Sequence, residues 1–268
     1  MGPEVSRQKR FDIHFSAGGG RLEAAWLGPA PDEAPTLVFL HEGLGCVALW
    51  RDFPARLAEI TGYGALVYSR LGYGGSAPCP LPRKLDFMHH EGLVVLPEVI
   101  RQCGIRDYLL VGHSDGGSIA LIHAGGSPCA GLKGMVTLAA HVYCEDRTRR
   151  SIEATRERYL YGDLKARLSL YHGDNTHCAF WGWNDAWLHP AFRQWTIDAF
   201  LPTIHVPVLA IQGEQDAYGS SGQIDIIQAK AGNGVAVEMI PDCGHAPHLE
   251  QSDAVLAVIS AFVREAHK

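Results

Sequence analysis

Short apolar runs alternate with helical patterns along most of the chain. Six of these runs are continuous rather than alternating, which is typical of strands buried on both faces of a parallel sheet. They are TLVFLH (36–41), ALVYSR (65–70), YLLVGH (108–113), GMVTLAA (134–140), VPVLAIQG (206–213) and VAVEMIP (235–241). Helical patterns lie between or after them, at 47–61, 87–103, 115–124, 221–231 and 250–266. The alternation predicts an α/β fold, with helices on both faces of a mostly parallel sheet.

Two segments depart from this alternation. Near the start, FDIHFS (11–16) and RLEAAWL (21–27) are joined by the glycine-rich AGGG, and this pattern predicts an antiparallel hairpin. Between 142 and 203 no strand pattern appears, and the helical segments there are rich in aromatic residues. We interpret this stretch as a helical cap inserted into one α/β core, which then comprises 1–141 and 204–268.

Composition narrows the possible partners. The chain has 268 residues, of which 47% are hydrophobic and 19% charged, as in an ordinary globular domain. The net charge of −6 and the scattered lysines and arginines leave no electrostatic footprint for nucleic acid. No apolar run has the length of a membrane span, and the N-terminal residues lack the apolar region of a secretory signal. We therefore expect a cytoplasmic monomer or homodimer that binds a small-molecule substrate, with neither nucleic acid nor membrane as a partner.

The seven cysteines are widely spaced and include no Cys-x-x-Cys pair. An odd number of dispersed cysteines in a chain of this length indicates free thiols in a reducing compartment, rather than a disulfide framework or a zinc site. We expect no metal and no cofactor.

The segment GHSDG (112–116) fits the Gly-x-Ser-x-Gly motif, with a predicted strand before it and a predicted helix after it. In that context the serine, Ser114, lies on a tight turn above the sheet. A serine hydroxyl needs a histidine base within hydrogen-bond reach, and the histidine needs a carboxylate to orient it. Adjacent residues on a tight turn point apart, so His113 and Asp115 cannot fill these roles.

The ends of two later strands supply the missing partners. Asp216 follows the strand at 206–213, and His245 follows the strand at 235–241, which gives the chain order Ser, Asp, His. We predict that Ser114, Asp216 and His245 form a catalytic triad. Other carboxylates and one other histidine also follow strands and remain alternatives: Glu214, Asp242 and Asp146 for the acid, and His248, for which we expect a surface or helix-capping role.

An acyl-transfer site also needs main-chain donors for the developing oxyanion. We expect one from the N–H of Asp115, and the other from the turn in HEGLGCVALW (41–50). In that turn Leu44 is the preferred candidate and Gly43 is the second. The same turn should bring two polar side chains to the substrate pocket, and the cap should cover it with aromatic residues. The predicted pocket residues are His41, Glu42, Trp181, Trp183 and Trp187.

Taken together, five motifs resemble those of the α/β-hydrolase superfamily: HEGLG (41–45), SRLGYGGS (69–76), GHSDGG (112–117), QGEQD (212–216) and GHAPHLE (244–250). The resemblance implies an eight-stranded sheet whose second strand is antiparallel, with a helical cap after the sixth strand. It also implies the Ser114, Asp216 and His245 triad. One departure is Glu42, where the superfamily usually has glycine after the histidine.

We therefore expect a serine hydrolase, with carboxylesterase action on a small apolar or aromatic ester through an acyl-enzyme as the leading hypothesis. Capped relatives with the same triad hydrolyse carbon–carbon bonds in ring-cleavage diketones, and this reaction is the rival hypothesis within enzymes. From another functional class, some members of the superfamily bind ligands without turnover. A non-catalytic ligand-binding protein is the third hypothesis.

Overall fold

Eight strands form one sheet in the computed structural model, which describes residues 9–14, 20–126 and 130–266. The strands are β1 (Lys9–His14), β2 (Arg21–Leu27), β3 (Thr36–Leu40), β4 (Gly64–Tyr68), β5 (Tyr108–His113), β6 (Leu132–Leu138), β7 (Val208–Gly213) and β8 (Val235–Ile240). Their order across the sheet is β1-β2-β4-β3-β5-β6-β7-β8. β2 is antiparallel to both of its neighbours, and the strands from β4 to β8 pair in parallel. The predicted eight-stranded, mostly parallel sheet is confirmed.

The predicted hairpin is present as the pair β1 and β2. Its register runs from Lys9 opposite Trp26 to His14 opposite Arg21. The last two residues of the predicted first strand, 15–16, and most of the AGGG turn lie outside the described residues.

Helices cover both faces of the sheet. The α-helices are α1 (Phe53–Thr61), α2 (Phe87–His90), α3 (Leu96–Gln102), α4 (Asp115–Gly126), α5 (Asp146–Tyr161), α6 (Leu164–His172), α7 (Thr176–Leu188), α8 (Ser221–Lys230), α9 (Pro247–Glu250) and α10 (Ser252–Ala266). Single 3-10 turns lie at Val47–Trp50, Gly173–Asn175, Pro190–Gln194 and Asp198–Thr203, and one π-helical turn at Glu91–Val95. Within the described ranges, no helix combines the length and hydropathy needed to cross a membrane.

Two predicted helices depart from a regular α-helix, and proline accompanies both departures. The pattern at 47–61 divides into a 3-10 turn and α1, which has Pro54 in its first turn. The pattern at 87–103 stays helical from Phe87 to Gln102, but its turn at Glu91–Val95, just before Pro97, is π-helical. Proline has no N–H to donate to the preceding turn, so it is tolerated in the first turn of a helix, and inside a helix it disturbs the hydrogen bonds of the turn before it.

The core lies in two layers, one on each face of the sheet. On one face α1 packs with α10, whose buried residues Val255, Leu256, Ile259 and Val263 follow helical spacing. On the other face lies α4, which is buried from Asp115 to His123 with no polar side exposed to solvent. Such a helix must be enclosed on all sides. It carries the turn with Ser114 at its N-terminus, so the site begins on a rigid, fully packed element.

The predicted helical insertion follows β6. α5, α6 and α7 lie between β6 and β7, and the chain then returns to the core through the 3-10 turn at Asp198–Thr203. That turn contacts α4, because Thr203 Oγ1 donates a hydrogen bond of 2.6 Å to the carbonyl oxygen of Gly125. The boundaries of the cap at 142 and 203 remain a prediction.

Candidate active site

Ser114 lies on the sharp turn between β5 and α4. Its φ of 51° is in the left-handed region. This conformation is unfavourable for any residue other than glycine, and it persists only where the surrounding structure enforces it. The two flanking glycines permit the close approach of strand and helix. A Cβ on Gly116 would lie 1.9 Å from the carbonyl oxygen of Leu40, and one on Gly112 would lie 2.3 Å from that of Gly116. The motif therefore needs glycine at both positions.

Ser114, His245 and Asp216 form one hydrogen-bonded chain. Ser114 Oγ lies 3.0 Å from His245 Nε2, and His245 Nδ1 lies 2.9 Å from each carboxylate oxygen of Asp216. With its Nδ1 proton directed at the carboxylate, the imidazole presents an unprotonated Nε2 to the serine hydroxyl. This arrangement can remove a proton from the hydroxyl as it attacks a carbonyl carbon.

Asp216 is held by its own loop. Its Oδ1 accepts hydrogen bonds from the main-chain N–H groups of Tyr218 and Gly219, at 2.7 and 3.2 Å. Burial opposes ionisation of this carboxyl, but the hydrogen bonds from His245 and from the two N–H groups lower its pKa below the ordinary value. Asp216 therefore stays charged and can stabilise a positive charge on His245.

The alternative carboxylate Asp146 lies elsewhere. It is exposed at the start of α5, where it forms an ion pair of 2.8 Å with Arg193. The alternative base, His248, is buried against His113 and Trp50 rather than exposed, so the expected surface or capping role was wrong. The helix α9 is short and its one turn packs inward over Trp50, which explains the burial.

The turn after β3 faces Ser114 across a cavity. Gly43 and Leu44 line it together with Asp115. Among the described residues, the main-chain N–H groups of Gly43 and Leu44 have no hydrogen-bond acceptor, and that of Asp115 has none outside α4. Gly43 is in contact with the cap, because a Cβ there would lie 2.2 Å from the indole of Trp183. The three predicted oxyanion residues are thus brought together, and both Gly43 and Leu44 remain candidates for the second donor.

The cavity has a volume of about 110 Å³ and lies between the core and the cap. It contains the serine and histidine of the hydrogen-bonded chain and three of the five predicted pocket residues, Glu42, Trp183 and Trp187. The lining residues are Glu42, Gly43, Leu44, Ser114, Asp115, His141, Thr148, Ile152, Trp183, Trp187, Tyr218 and His245.

Two predicted pocket residues do not line the cavity. His41 is fully buried and turns toward the following loop, where its Nε2 accepts a hydrogen bond of 3.0 Å from the N–H of Arg70. Trp181 packs inside the cap, edge-on to Tyr159 and Phe180. Trp183 lies two residues farther along α7, about 200° around the helix from Trp181, so the two cannot face the same way.

Four of the lining residues were not predicted from the sequence: His141, Thr148, Ile152 and Tyr218. Two of them could have been predicted from their positions in the sequence, since His141 follows β6 and Tyr218 follows Asp216 in the same loop. The ring of His141 lies 5.7 Å from that of His245. Burial, with a contribution from His245, lowers the pKa of His141 to about 3, so its imidazole is neutral.

A second pair of histidine and carboxylate lies behind the site. His113 Nε2 donates a hydrogen bond of 2.7 Å to the main-chain oxygen of His245, while His113 Nδ1 faces the carboxylate of Glu42 at 3.4 Å. Burial alone would lower the pKa of His113, but the hydrogen bond and charge of Glu42 raise it. In turn, burial opposes ionisation of Glu42, while His113 holds its pKa well below the usual range. His113 therefore positions the loop that carries His245, and Glu42 stabilises its charge.

Asp115 has one satisfied carboxylate oxygen and one that is not. Oδ1 accepts a hydrogen bond of 3.1 Å from Trp187 Nε1, whereas Oδ2 is buried and has no partner among the described residues. Burial raises the pKa of this carboxyl, against the opposing effect of Arg70. As for metals, the described residues hold no group of three or more histidines, cysteines or carboxylates arranged as ligands.

This geometry agrees with the match to a family model described as the alpha/beta hydrolase family, which covers residues 37–258. The chain belongs to the alpha/beta hydrolase family. Among curated proteins, it is 32% identical over 120 residues to 2-succinyl-6-hydroxy-2,4-cyclohexadiene-1-carboxylate synthase from Enterobacter sp. (strain 638). That match spans 45% of this chain and 43% of the relative.

Solved structures of other alpha/beta hydrolases share the fold. The 2-hydroxy-6-oxo-6-phenylhexa-2,4-dienoate hydrolase from Rhodococcus sp. strain RHA1 superposes with a TM-score of 0.78 at 18% identity, over 96% of this chain and 100% of that one. An esterase from Exiguobacterium antarcticum superposes with a TM-score of 0.73 at 18% identity, over 92% and 97% of the two chains. At these identities the likeness concerns the fold of this alpha/beta hydrolase.

Proposed function

We propose that the chain is a serine hydrolase that cleaves esters of short carboxylic acids through an acyl-enzyme. The observation that carries this proposal is the chain of hydrogen bonds from Ser114 Oγ through His245 to Asp216, located at the wall of a cavity. Nucleophilic acyl transfer requires a serine hydroxyl within hydrogen-bond distance of a histidine that a carboxylate orients, and these three residues meet that requirement. No cofactor is needed for this chemistry.

In the proposed reaction, Ser114 Oγ attacks the ester carbonyl while His245 Nε2 accepts its proton. Asp216 keeps the imidazole in the correct tautomer and stabilises its positive charge. The N–H of Asp115 and that of Leu44 or Gly43 bind the oxyanion. His245 then protonates the departing alcohol, and the same histidine activates water to hydrolyse the acyl-enzyme.

The size of the cavity supports a compact substrate. Small-molecule sites commonly have volumes of about 300–1,000 Å³, and a cavity of about 150 Å³ already encloses benzene. The cavity at Ser114 measures about 110 Å³. We infer that the acyl group has only a few carbon atoms, and that Trp183 and Trp187 supply the apolar wall against which it packs.

Cleavage of a carbon–carbon bond is the second candidate, and the Rhodococcus neighbour named above favours it through its fold alone. A substrate with a phenyl ring and a six-carbon chain is larger than this cavity, and part of it would extend beyond the walls. The volume therefore favours the short ester.

The test combines labelling with a substrate series. A fluorophosphonate probe should add one phosphonyl group to Ser114, and Ser114→Ala should abolish both the adduct and ester turnover while the thermal midpoint stays nearly unchanged. Rates with nitrophenyl acetate and butyrate should exceed those with octanoate. Turnover of a dienoic diketone in place of esters would establish the second candidate, and a folded protein without adduct or turnover would be a ligand-binding member of the family.

A further inference from the structure

Cys79 and Cys178 come together although they are 99 positions apart in the chain. Their Sγ atoms lie 2.9 Å apart, and Cys178 Sγ is also 3.3 Å from the carbonyl oxygen of Cys79. Cys79 belongs to the core segment between β4 and α2, and Cys178 lies in the first turn of the cap helix α7. The pair thus forms a contact between core and cap.

A partly buried cation lies beside the two thiols. Arg83 Nη2 is 3.2 Å from Cys79 Sγ, and the guanidinium packs over the rings of Tyr73 and Phe87, at 4.8 and 5.5 Å. Among the described residues, no carboxylate forms an ion pair with Arg83 at 4.0 Å or less. A partly buried guanidinium that forms no close ion pair with a carboxylate favours a negative charge on the sulfur next to it.

The two thiols share this effect. Their mutual hydrogen bond and the positive charge of Arg83 lower the pKa for loss of the first proton, because the remaining proton bridges the two sulfurs. The same hydrogen bond and burial raise the pKa for loss of the second proton. One thiolate with an adjacent thiol is the arrangement that reacts with oxidants and then resolves to a disulfide.

We propose that Cys79 and Cys178 form a redox-active dithiol site, which hydrogen peroxide oxidises to a disulfide between the core and the cap. The thiolate attacks one peroxide oxygen, the O–O bond breaks, and the second oxygen leaves as hydroxide, which gives a sulfenic acid. The other cysteine then attacks the sulfenic sulfur, an S–S bond forms and the S–O bond breaks. The two sulfurs together lose two electrons, and the two thiol protons leave in two molecules of water.

The two sulfurs already lie close together. A disulfide has an S–S distance of about 2.0 Å, so the sulfurs need to approach by about 0.9 Å. The base of α7 is already fixed to the core, since Asn175 Nδ2 donates hydrogen bonds to the carbonyl oxygens of Gly74 and Ser76 at 3.0 and 2.7 Å. The disulfide would add a covalent link at the helix that carries Trp183 and Trp187.

The test treats the native protein with a few equivalents of hydrogen peroxide and measures intact mass and non-reduced peptide maps. We expect a mass decrease of two hydrogen atoms and one linked pair of peptides, containing Cys79 and Cys178. We also expect the thermal midpoint to rise by about 5–10 °C relative to the reduced protein, because a link that closes a loop of this length constrains the unfolded chain.

Matched variants separate this site from the other thiols. Cys79→Ser and Cys178→Ser should each prevent both the mass decrease and the rise in thermal midpoint, whereas Cys103→Ser should oxidise like the wild type. The thermal midpoints of all three under reducing conditions establish that they fold. Oxidation that stops at a sulfenic acid, that links another pair, or that leaves these two thiols free in the folded protein would overturn the proposal. The readouts do not depend on ester turnover, so they stand whether or not the proposed function holds.

Discussion

Trp187 of the cap donates its indole N–H to Asp115, the residue that follows Ser114, across 3.1 Å. The bond links the lid of the cavity to the residue whose own N–H is proposed to bind the oxyanion. A negative charge at this position would oppose an oxyanion, but burial raises the pKa of the Asp115 carboxyl and so favours its neutral form. The pair thus joins a residue of the cap to the carboxyl beside the proposed oxyanion donor.

The first prediction concerns Asp115→Asn. The pKa of Asp115 is raised in the folded protein, so the folded state retains its proton while the unfolded state loses it above a pH of about 3.9. The stabilisation that this carboxyl contributes is therefore fully present at low pH. It is lost as the pH rises through the pKa that the carboxyl has in the folded protein. The amide does not titrate, so the thermal midpoint of the variant relative to the wild type should be higher at pH 8 than at pH 4, by a few degrees.

Trp187→Phe provides the control for that experiment. It removes the hydrogen bond to Oδ1 and keeps the carboxyl, so it should lower the thermal midpoint while the pH dependence persists. A difference between Asp115→Asn and the wild type that is constant from pH 4 to pH 8 would show that Asp115 is ionised in the folded protein.

The second prediction concerns Glu42→Gln. The pKa of His113 is raised, so its contribution to stability is complete below 6.5 and is lost as the pH rises through the folded value. The pKa of Glu42 is lowered, so its contribution is present above 4.5 and is lost as the pH falls. The pair is therefore most stabilising between these two values. Glu42→Gln should lower the thermal midpoint by about 5 °C at pH 5.5, and by much less at pH 8.5.

Glu153→Gln is the matched control, because Glu153 is exposed on α5. Its effect should be small and nearly independent of pH. If Glu42→Gln behaved in the same way, then the charge of His113 would not depend on Glu42.

The third prediction compares two aspartates. Asp216→Asn leaves His245 without the charge that fixes its tautomer, and should lower kcat for esters by about 10⁴-fold. Asp146→Asn removes an exposed ion pair with Arg193 and should change kcat less than twofold. Steady-state kinetics with nitrophenyl butyrate checks both. The reverse ranking would place the carboxylate role on Asp146.

The fourth prediction concerns the contact between Gly43 and Trp183. A methyl group at residue 43 would lie 2.2 Å from the indole, so Gly43→Ala must displace the indole, the oxyanion turn or α7. We expect kcat to fall by about 10²-fold, which is the effect of losing one oxyanion donor. Gly234→Ala is the control, because a Cβ there meets no atom within 4 Å.

A double variant tests the cause of that loss. In a Trp183→Ala background the space beside residue 43 is free, so Gly43→Ala should cost much less activity than it does in the wild type. Equal losses in both backgrounds would mean that the indole is not the obstacle.

The positions of Ser114, Asp216 and His245 could be predicted because parallel strands end at one edge of a sheet. Each of the three follows a strand that was predicted from a continuous apolar run in the sequence. Their order along the chain, Ser, Asp, His, is the order expected for this fold. The structure brings them within hydrogen-bond distance.

The pocket was harder to predict, because side-chain direction depends on helical phase and on packing between distant segments. An aromatic run does not indicate which of Trp181 and Trp183 faces the core, since that depends on how α7 is rotated against it. The burial of His41 beneath the Arg70 loop and that of His248 beside Trp50 arise from contacts between segments far apart in the chain. The meeting of Cys79 with Cys178 has the same origin, and no local motif marks it.

The nucleophile and its base are 131 positions apart, and the whole cap lies between them. A ribosome therefore produces the turn with Ser114 long before it produces the loop with His245. Until β8 has joined the sheet, a growing chain holds a serine without its base, and its hydroxyl is no more reactive than that of any other serine. The chemistry proposed for this molecule can thus begin only once the last strand of the sheet has formed and the loop with His245 has reached Ser114.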